Sequence, residues 1–212
     1  MAIAGGHGKV GLRLTRELRH RGDTVVSLIR NAEHEADVRE AGGEPVVCDL
    51  EHATDEDVAQ SVAGVDALVF AAGAGPGSGS ARKETMDYGG AVKLIGAAKA
   101  NGITRYVIVS SIGADASAEG DEGMAPYRRA KGRADAELAA SGLDYTIVRP
   151  GRLTDEPGRG HVEVGAHVGG GEVSRDDVAA VLAAALHEPR TIAKTFELVG
   201  GELPVEEAVS SV

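Results

Sequence analysis

Apolar residues along this chain recur with two alternating periods, and the alternation predicts strands and helices in turn. Ala2 to Ala4 is an unbroken apolar run that reads as a buried strand. Val10, Leu14 and Leu18 then share one helical face, and Gly22 stops that helix. TVVSLI (Thr24 to Ile29) predicts a second strand, residues 33–41 a short helix, and PVVCD (Pro45 to Asp49) a third strand. Thr54 is placed to cap a helix reaching Ala63. Val65 to Gly73 predicts a fourth strand, and GAGPGSGS (Gly73 to Ser80) a loop. A long helix over Glu84 to Asn101 leads to a fifth strand, Arg105 to Ser111. Pro126 suits the first turn of a helix ending at Gly142, and Leu143 to Pro150 completes six strands.

Beyond Pro150 the pattern weakens to a short strand VEV, a helix capped by Ser174, a strand within IAKTFELVGG and a terminal helical turn in PVEEAV. Strand–helix alternation with continuously apolar strands predicts an α/β fold, a doubly wound parallel Rossmann sheet with helices on both faces. No repeat or linker divides the chain. The expectation is a single domain over residues 1–212, with 151–212 a small extension beyond the strand ends and not a separate domain. The opening strand is short, which leaves room for sequence ahead of Met1.

Composition narrows the functional classes. The chain of 212 residues is 42% hydrophobic but only 3% aromatic, so the core must be aliphatic and packed around 30 glycines. A formal net charge of −11 argues against nucleic acid or an anionic membrane as partner and leaves a small-molecule substrate. One cysteine, Cys48, rules out an internal disulfide and fits a reducing compartment; it is expected to be buried and inert. No signal peptide or membrane span is visible, so a cytoplasmic location is expected. The seven histidines are scattered, and no metal site is expected. Nothing indicates the oligomeric state.

Candidate chemistry starts at GGHGKVG, between the first strand and its helix. Gly5 can take the tight turn, Gly8 lets a pyrophosphate reach the backbone, and Gly11 lets the helix pack close to the sheet. Lys9 and Val10 open that helix, whose free N–H groups attract phosphate. For His7, solvent exposure is the expected state. Where a reader of a ribose 2′-hydroxyl would carry Asp or Glu, the second strand ends in Arg30-Asn31, 19 residues after Gly11 for the arginine. A guanidinium suits a 2′-phosphate, which favours NADP(H), with NAD(H) the weaker candidate. Asp49 and Leu50 would lie beside the adenine, Asp49 either accepting from its amino group or capping a turn. Ala71, Ala72 and Gly73 end the fourth strand with the small side chains a cofactor crossing there requires. Tyr127 and Lys131 of YRRAK stand four apart on one helix. An ammonium beside a phenol favours its ionised form and makes it a usable acid–base group.

GGHGKVG, CDL, FAAG, VSS, YRRAK and TIVRPG, in this order, resemble the short-chain dehydrogenase/reductase superfamily. The likeness is to its atypical NAD(P)H-binding branch of biliverdin-reductase-B-like and NmrA-like proteins. It implies a bound dinucleotide, Tyr127 and Lys131 as the catalytic pair, with Lys131 also a ribose ligand, and Ser110, Pro150 and Gly151 on the cofactor side. The family's catalytic serine or threonine follows the fifth strand. Here Ile112 stands nearest that position, so that either Ser111 serves or no serine does.

On the substrate side, GAGPGSGS, IGADASAEGDEGM and PGRLTDEPGRG are candidate lids. Arg149, Arg152 and Arg159 are a candidate anion clamp, with an ion pair to Asp155 or Glu156 the plainer expectation for Arg159. Arg128, Arg129 and Arg133 are expected mostly in solvent, and Asp176 and Asp177 as helix caps. Three readings stay open: an NADPH-dependent oxidoreductase of small carbonyl compounds, an epimerase or dehydratase of sugar-like substrates, and a redox-sensing NADP(H)-binding protein.

Overall fold

The computed structural model describes every residue except Pro76, so that part of the expected lid GAGPGSGS lies outside the described residues. The first half alternates as the periodicity requires: β1 (Ala2–Ala4), α1 (Lys9–His20), β2 (Val26–Ile29), α2 (Glu35–Glu40) and β3 (Glu44–Val47). Next come α3 (Asp55–Ser61), β4 (Ala67–Phe70), α4 (Gly79–Arg82), α5 (Ala91–Ala100) and β5 (Arg105–Val109). Then α6 (Ala125–Ala139) and β6 (Asp144–Pro150) follow. The remainder holds β7 (Arg152–Thr154), β8 (His161–Gly165), β9 (Glu172–Ser174), α7 (Arg175–His187), β10 (Lys194–Gly200), β11 (Leu203–Pro204) and α8 (Val205–Ser210).

Nine strands form one sheet in the order β11-β8-β10-β6-β5-β4-β1-β2-β3. From β3 to β10 all neighbours are parallel, whereas β8 and β10 pair antiparallel. The order reverses at β1, with β2 on one side and β4 on the other, and a ligand crevice forms beyond the strand ends at such a reversal. Residues after Pro150 thus extend this sheet through β10, β8 and β11, while β7 and β9 form a separate two-stranded patch.

Successive strand residues face opposite sides. Ile3, Val69 and Val107 enter a core with Leu14 and Leu18 of α1 and Val178 and Leu182 of α7. Ala2, Ala4, Leu68, Phe70, Tyr106 and Ile108 enter the other, with Val58 of α3, Leu94 of α5 and Leu138 of α6. Continuous apolar strands are therefore buried on both faces.

Boundaries moved where tertiary pairing decides them. The second strand begins at Val26, not Thr24, because β1 offers only Ala2 to Ala4 to pair with Val26 to Leu28. The long helix begins earlier than Glu84: α4 leads into a π-helical stretch over Lys83–Gly90 before α5. β7, β9 and β11 were absent from the apolar pattern because two or three residues carry no period.

Candidate functional site

The crevice begins at the turn from β1 into α1. Gly5 has φ +84°, and a Cβ there would lie 2.7 Å from the Ala72 backbone. A Cβ on Gly11 would lie 2.3 Å from the Gly5 carbonyl oxygen, so only glycine lets α1 come this close. Gly8 N–H donates to the Gly5 carbonyl at 2.9 Å, and Leu12 N–H is the donor that returns to Gly8. Gly8, as N-cap, supplies no side-chain acceptor, and the first turn has no acidic residue. The earliest helical N–H groups are therefore left to an anion, and the cradle fits a pyrophosphate.

Two cavities meet at the end of β4, where Ala71, Ala72 and Gly73 form their common wall. The first, of about 380 Å³, is lined by Gly5, Gly8, Arg30, Asp49 and Leu50, all candidates for the coenzyme. Both Asp49 oxygens have partners, the Glu51 amide at 3.0 Å and His52 Nδ1 at 3.0 Å. Burial pushes the Asp49 carboxyl up, but these contacts outweigh it and leave it below the usual range. Asp49 thus caps the turn at Glu51 and keeps lone pairs free on both oxygens. Cys48, just past β3, also lines this cavity, and burial raises its thiol. His7 departs from the expected exposure. Its Nε2 lies 2.7 Å from Asp37 Oδ2 and its ring stacks on His34. Lys9 is turned to Asp155, at 2.6 Å. Gly11 packs behind the loop, and Asn31 precedes the 3₁₀ turn Ala32–His34.

The second cavity, of about 680 Å³, brings Val10, Ser110, Tyr127 and Lys131 together. Met124, Pro126 and Leu153 give it an apolar side. The Tyr127 hydroxyl has no hydrogen-bond partner among the described residues, and Lys83 Nζ lies 5.3 Å from the centre of its ring. Lys131 Nζ donates to the Val109 carbonyl at 2.9 Å and faces Asp87 Oδ1 at 3.6 Å. Asp87 comes from the π-helical stretch, and its other oxygen accepts from the Ala74 amide at 3.2 Å.

Serine chemistry is constrained by donors. Ser110 Oγ donates to Asp135 Oδ2 at 2.8 Å, and Arg149 Nη2 lies 2.9 Å from that oxygen. A hydroxyl has one proton, so towards the cavity Ser110 can only accept. Among the described residues Asp135 Oδ1 is buried without a partner, and burial raises the carboxyl against the pull of Ser110 and Arg149. Ser111 Oγ donates to the Ile112 carbonyl at 3.2 Å and is not among the cavity's lining residues described. Pro150 and Gly151 are not either: Pro150 is buried in β6, and a Cβ on Gly151 would lie 2.3 Å from the Gly171 carbonyl oxygen.

The expected anion clamp is dispersed. Arg149 is held by Asp135, Arg152 pairs with Glu172, and Arg159 makes neither expected ion pair. Asp155 instead takes Lys9 and Arg175, and Arg175 is the arginine that lines the second cavity. Arg129 donates to the Ala118 and Gly120 carbonyls, and Arg133 pairs with Glu84 over the Tyr88 ring, so neither simply faces solvent. Asp177 accepts from the Arg159 and Gly160 amides, and Asp176 from Gly158, fastening the 158–160 turn to the start of α7. Among the described residues no group of three or more His, Cys, Asp or Glu could hold a metal, and no helix is long and apolar enough to cross a membrane.

Sequence reasoning missed Asp87, Asp135, His34, Lys83 and Arg175. Asp135 carried a signal, since it follows Lys131 by four residues on the face that carries Tyr127. The others gain meaning only from partners distant in sequence.

A family model described as NAD(P)H-binding matches residues 5–189. An uncharacterized sugar epimerase of Bacillus subtilis is 37% identical over 211 residues, covering 99% of this chain and 98% of that one. A solved structure from Bacillus halodurans, named as an NAD-dependent epimerase/dehydratase, is 39% identical with a TM-score of 0.92, covering 100% of this chain and 98% of its own. An oxidoreductase structure from Lactococcus lactis is 27% identical with a TM-score of 0.85, covering 100% and 96%.

Proposed function

This chain belongs to the NAD(P)H-binding family, among the epimerase-like and short-chain dehydrogenase/reductase-like Rossmann proteins, and from that premise we propose an NADPH-dependent oxidoreductase acting on a small carbonyl compound. The observation that carries this reading is the meeting of Tyr127 and Lys131 in a cavity that shares the Ala71–Gly73 wall with the glycine-loop cavity. The coenzyme, when bound, supplies hydride. The N–H groups that open α1 would hold its pyrophosphate, and Arg30 would hold the 2′-phosphate. Lys131, with one N–H on Val109 and another towards Asp87, keeps a third for a ribose hydroxyl. Tyr127, whose hydroxyl has no protein partner among the described residues, holds the proton given to the carbonyl oxygen. Ser110 accepts from a ligand N–H or O–H and leaves the oxygen to the tyrosine. Residues 1–212 act as one unit, with 151–212 walling the substrate side, and a cytoplasmic setting belongs to the same reading.

A second reading follows from the named relatives: an epimerase, in which Tyr127 takes the proton of a sugar hydroxyl. NADPH oxidation against a panel of carbonyl compounds and quinones, with UDP-glucose included, separates the two. The expected result is turnover of a carbonyl compound that falls about 10²- to 10⁴-fold in Tyr127→Phe while NADPH affinity holds. Interconversion of UDP-glucose with NADP⁺ supplied, and no net change in the coenzyme, would favour the epimerase, whose hydride passes to the oxidised coenzyme and back. Tight coenzyme binding with no turnover of any compound, with NADPH or with NADP⁺ supplied, would overturn both and leave a redox sensor.

A further inference from the structure

Two imidazoles share with Arg30 the lining of the first cavity. His7, from the glycine loop, and His34, from the turn after β2, stack with centroids 3.7 Å apart and planes 6° from parallel. Both line the cavity that Arg30 lines. His7 Nε2 lies 2.7 Å from Asp37 Oδ2 on α2. A carboxylate only accepts, so Nε2 carries the hydrogen in this contact, and Nδ1 of a neutral His7 is a lone pair. Other charged groups around the cavity are engaged elsewhere. Asp49 holds the Glu51 amide and His52, Arg82 pairs with Glu51, and Lys9 is held by Asp155. On α2, Glu35 pairs with Arg39.

We propose that His7 and His34 form with Arg30 a proton-gated site for the 2′-phosphate of NADP(H), so that selection against NAD(H) sharpens as pH falls. The proposal rests on the NADP(H) reading above. A neutral imidazole offers a phosphate a lone pair; a protonated one offers an N–H donor and a positive charge. Asp37 compensates one added charge, while two imidazolium rings stacked at 3.7 Å would repel. The negative charge of an arriving phosphate favours the protonated form of the pair, so the proposed site takes up a proton on binding. The bound state holds more protons than the free state, so affinity falls as pH rises.

The sign is diagnostic. A phosphate monoester completes its second ionisation near a pKa of about 6, so Arg30 acting alone would bind the 2′-phosphate better as pH rises. The test is calorimetric binding of adenosine 2′,5′-bisphosphate and adenosine 5′-monophosphate at constant ionic strength between about pH 6 and about pH 8.5. In the wild type the affinity ratio in favour of the bisphosphate should fall on the order of tenfold across this range. In His34→Asn, at a half-buried turn whose folding circular dichroism can check, the ratio should stay level or rise; His7→Asn is the second variant. A wild-type ratio that is level or rises, with the preference still lost in Arg30→Ala, overturns the proton gate and leaves the NADP(H) reading standing. A bisphosphate never preferred at any pH overturns that reading and the gate with it.

Discussion

The ammonium of Lys131 lies 3.6 Å from the Asp87 carboxylate, and the two side chains are 4% and 1% exposed. Asp87 reaches this position because the chain runs π-helical through Lys83–Gly90, a distortion that recurs at functional sites. Removing one partner of such a pair strands the other charge in the interior. Asp87→Ala should cost about 3–5 kcal/mol in urea unfolding, whereas Asp87→Leu combined with Lys131→Met should recover most of it. Equal loss in the single and double variants would show that packing, not charge, holds the position.

Arg30→Ala tests coenzyme choice. A charge-assisted contact is worth about 1.5–3 kcal/mol, so NADPH affinity should fall roughly 10- to 100-fold while NADH affinity changes little. Fluorescence titration of both coenzymes measures this, and parallel losses would remove the case for a phosphate contact.

Gly11→Ala sets a methyl group against the Gly5 carbonyl oxygen at 2.3 Å. Backbone must move, so a cost of about 1–3 kcal/mol and weaker coenzyme binding are expected. Gly96→Ala, on α5 with open space around it, is the control and should be neutral or stabilising by up to about 1 kcal/mol. Matching effects in thermal melts would mean that the loop tolerates the methyl group.

Asp135 gives a pH dependence. Burial raises its carboxyl above the ordinary value even with Ser110 and Arg149 beside it. The folded state then keeps the proton to higher pH than the unfolded chain does. Its contribution to stability is present below the unfolded value and declines as pH rises through the raised one. Stability of the wild type relative to Asp135→Asn should therefore fall as pH climbs from the ordinary carboxylate range, read by urea unfolding at each pH. A difference that grows over that interval would reverse the assignment.

Legibility followed locality. β1, the glycine loop and α1 were readable because one short segment carries the turn glycines, the free helix end and the Leu14–Leu18 stripe. The Tyr127–Lys131 spacing was readable because both lie on α6. GGHGKVG alone points Lys9 to the coenzyme, because nothing in it announces Asp155, 146 residues on. The His7–His34 stack and the Asp135–Arg149 contact likewise depend on how separate elements pack. Arg152 resembled a clamp until β7 paired with β9 and set it beside Glu172.

At one rim of the sheet, Pro204 sits opposite His161 in β11, a strand of two residues. Proline lacks an amide hydrogen, so this rim offers little for an incoming backbone to grip. The opposite rim, at Glu44–Val47, presents a longer ladder, but Glu44 places a charge there and Pro45 again removes an amide hydrogen. Crowded or partly unfolded molecules thus meet a sheet whose two flanks each carry a proline against lateral growth.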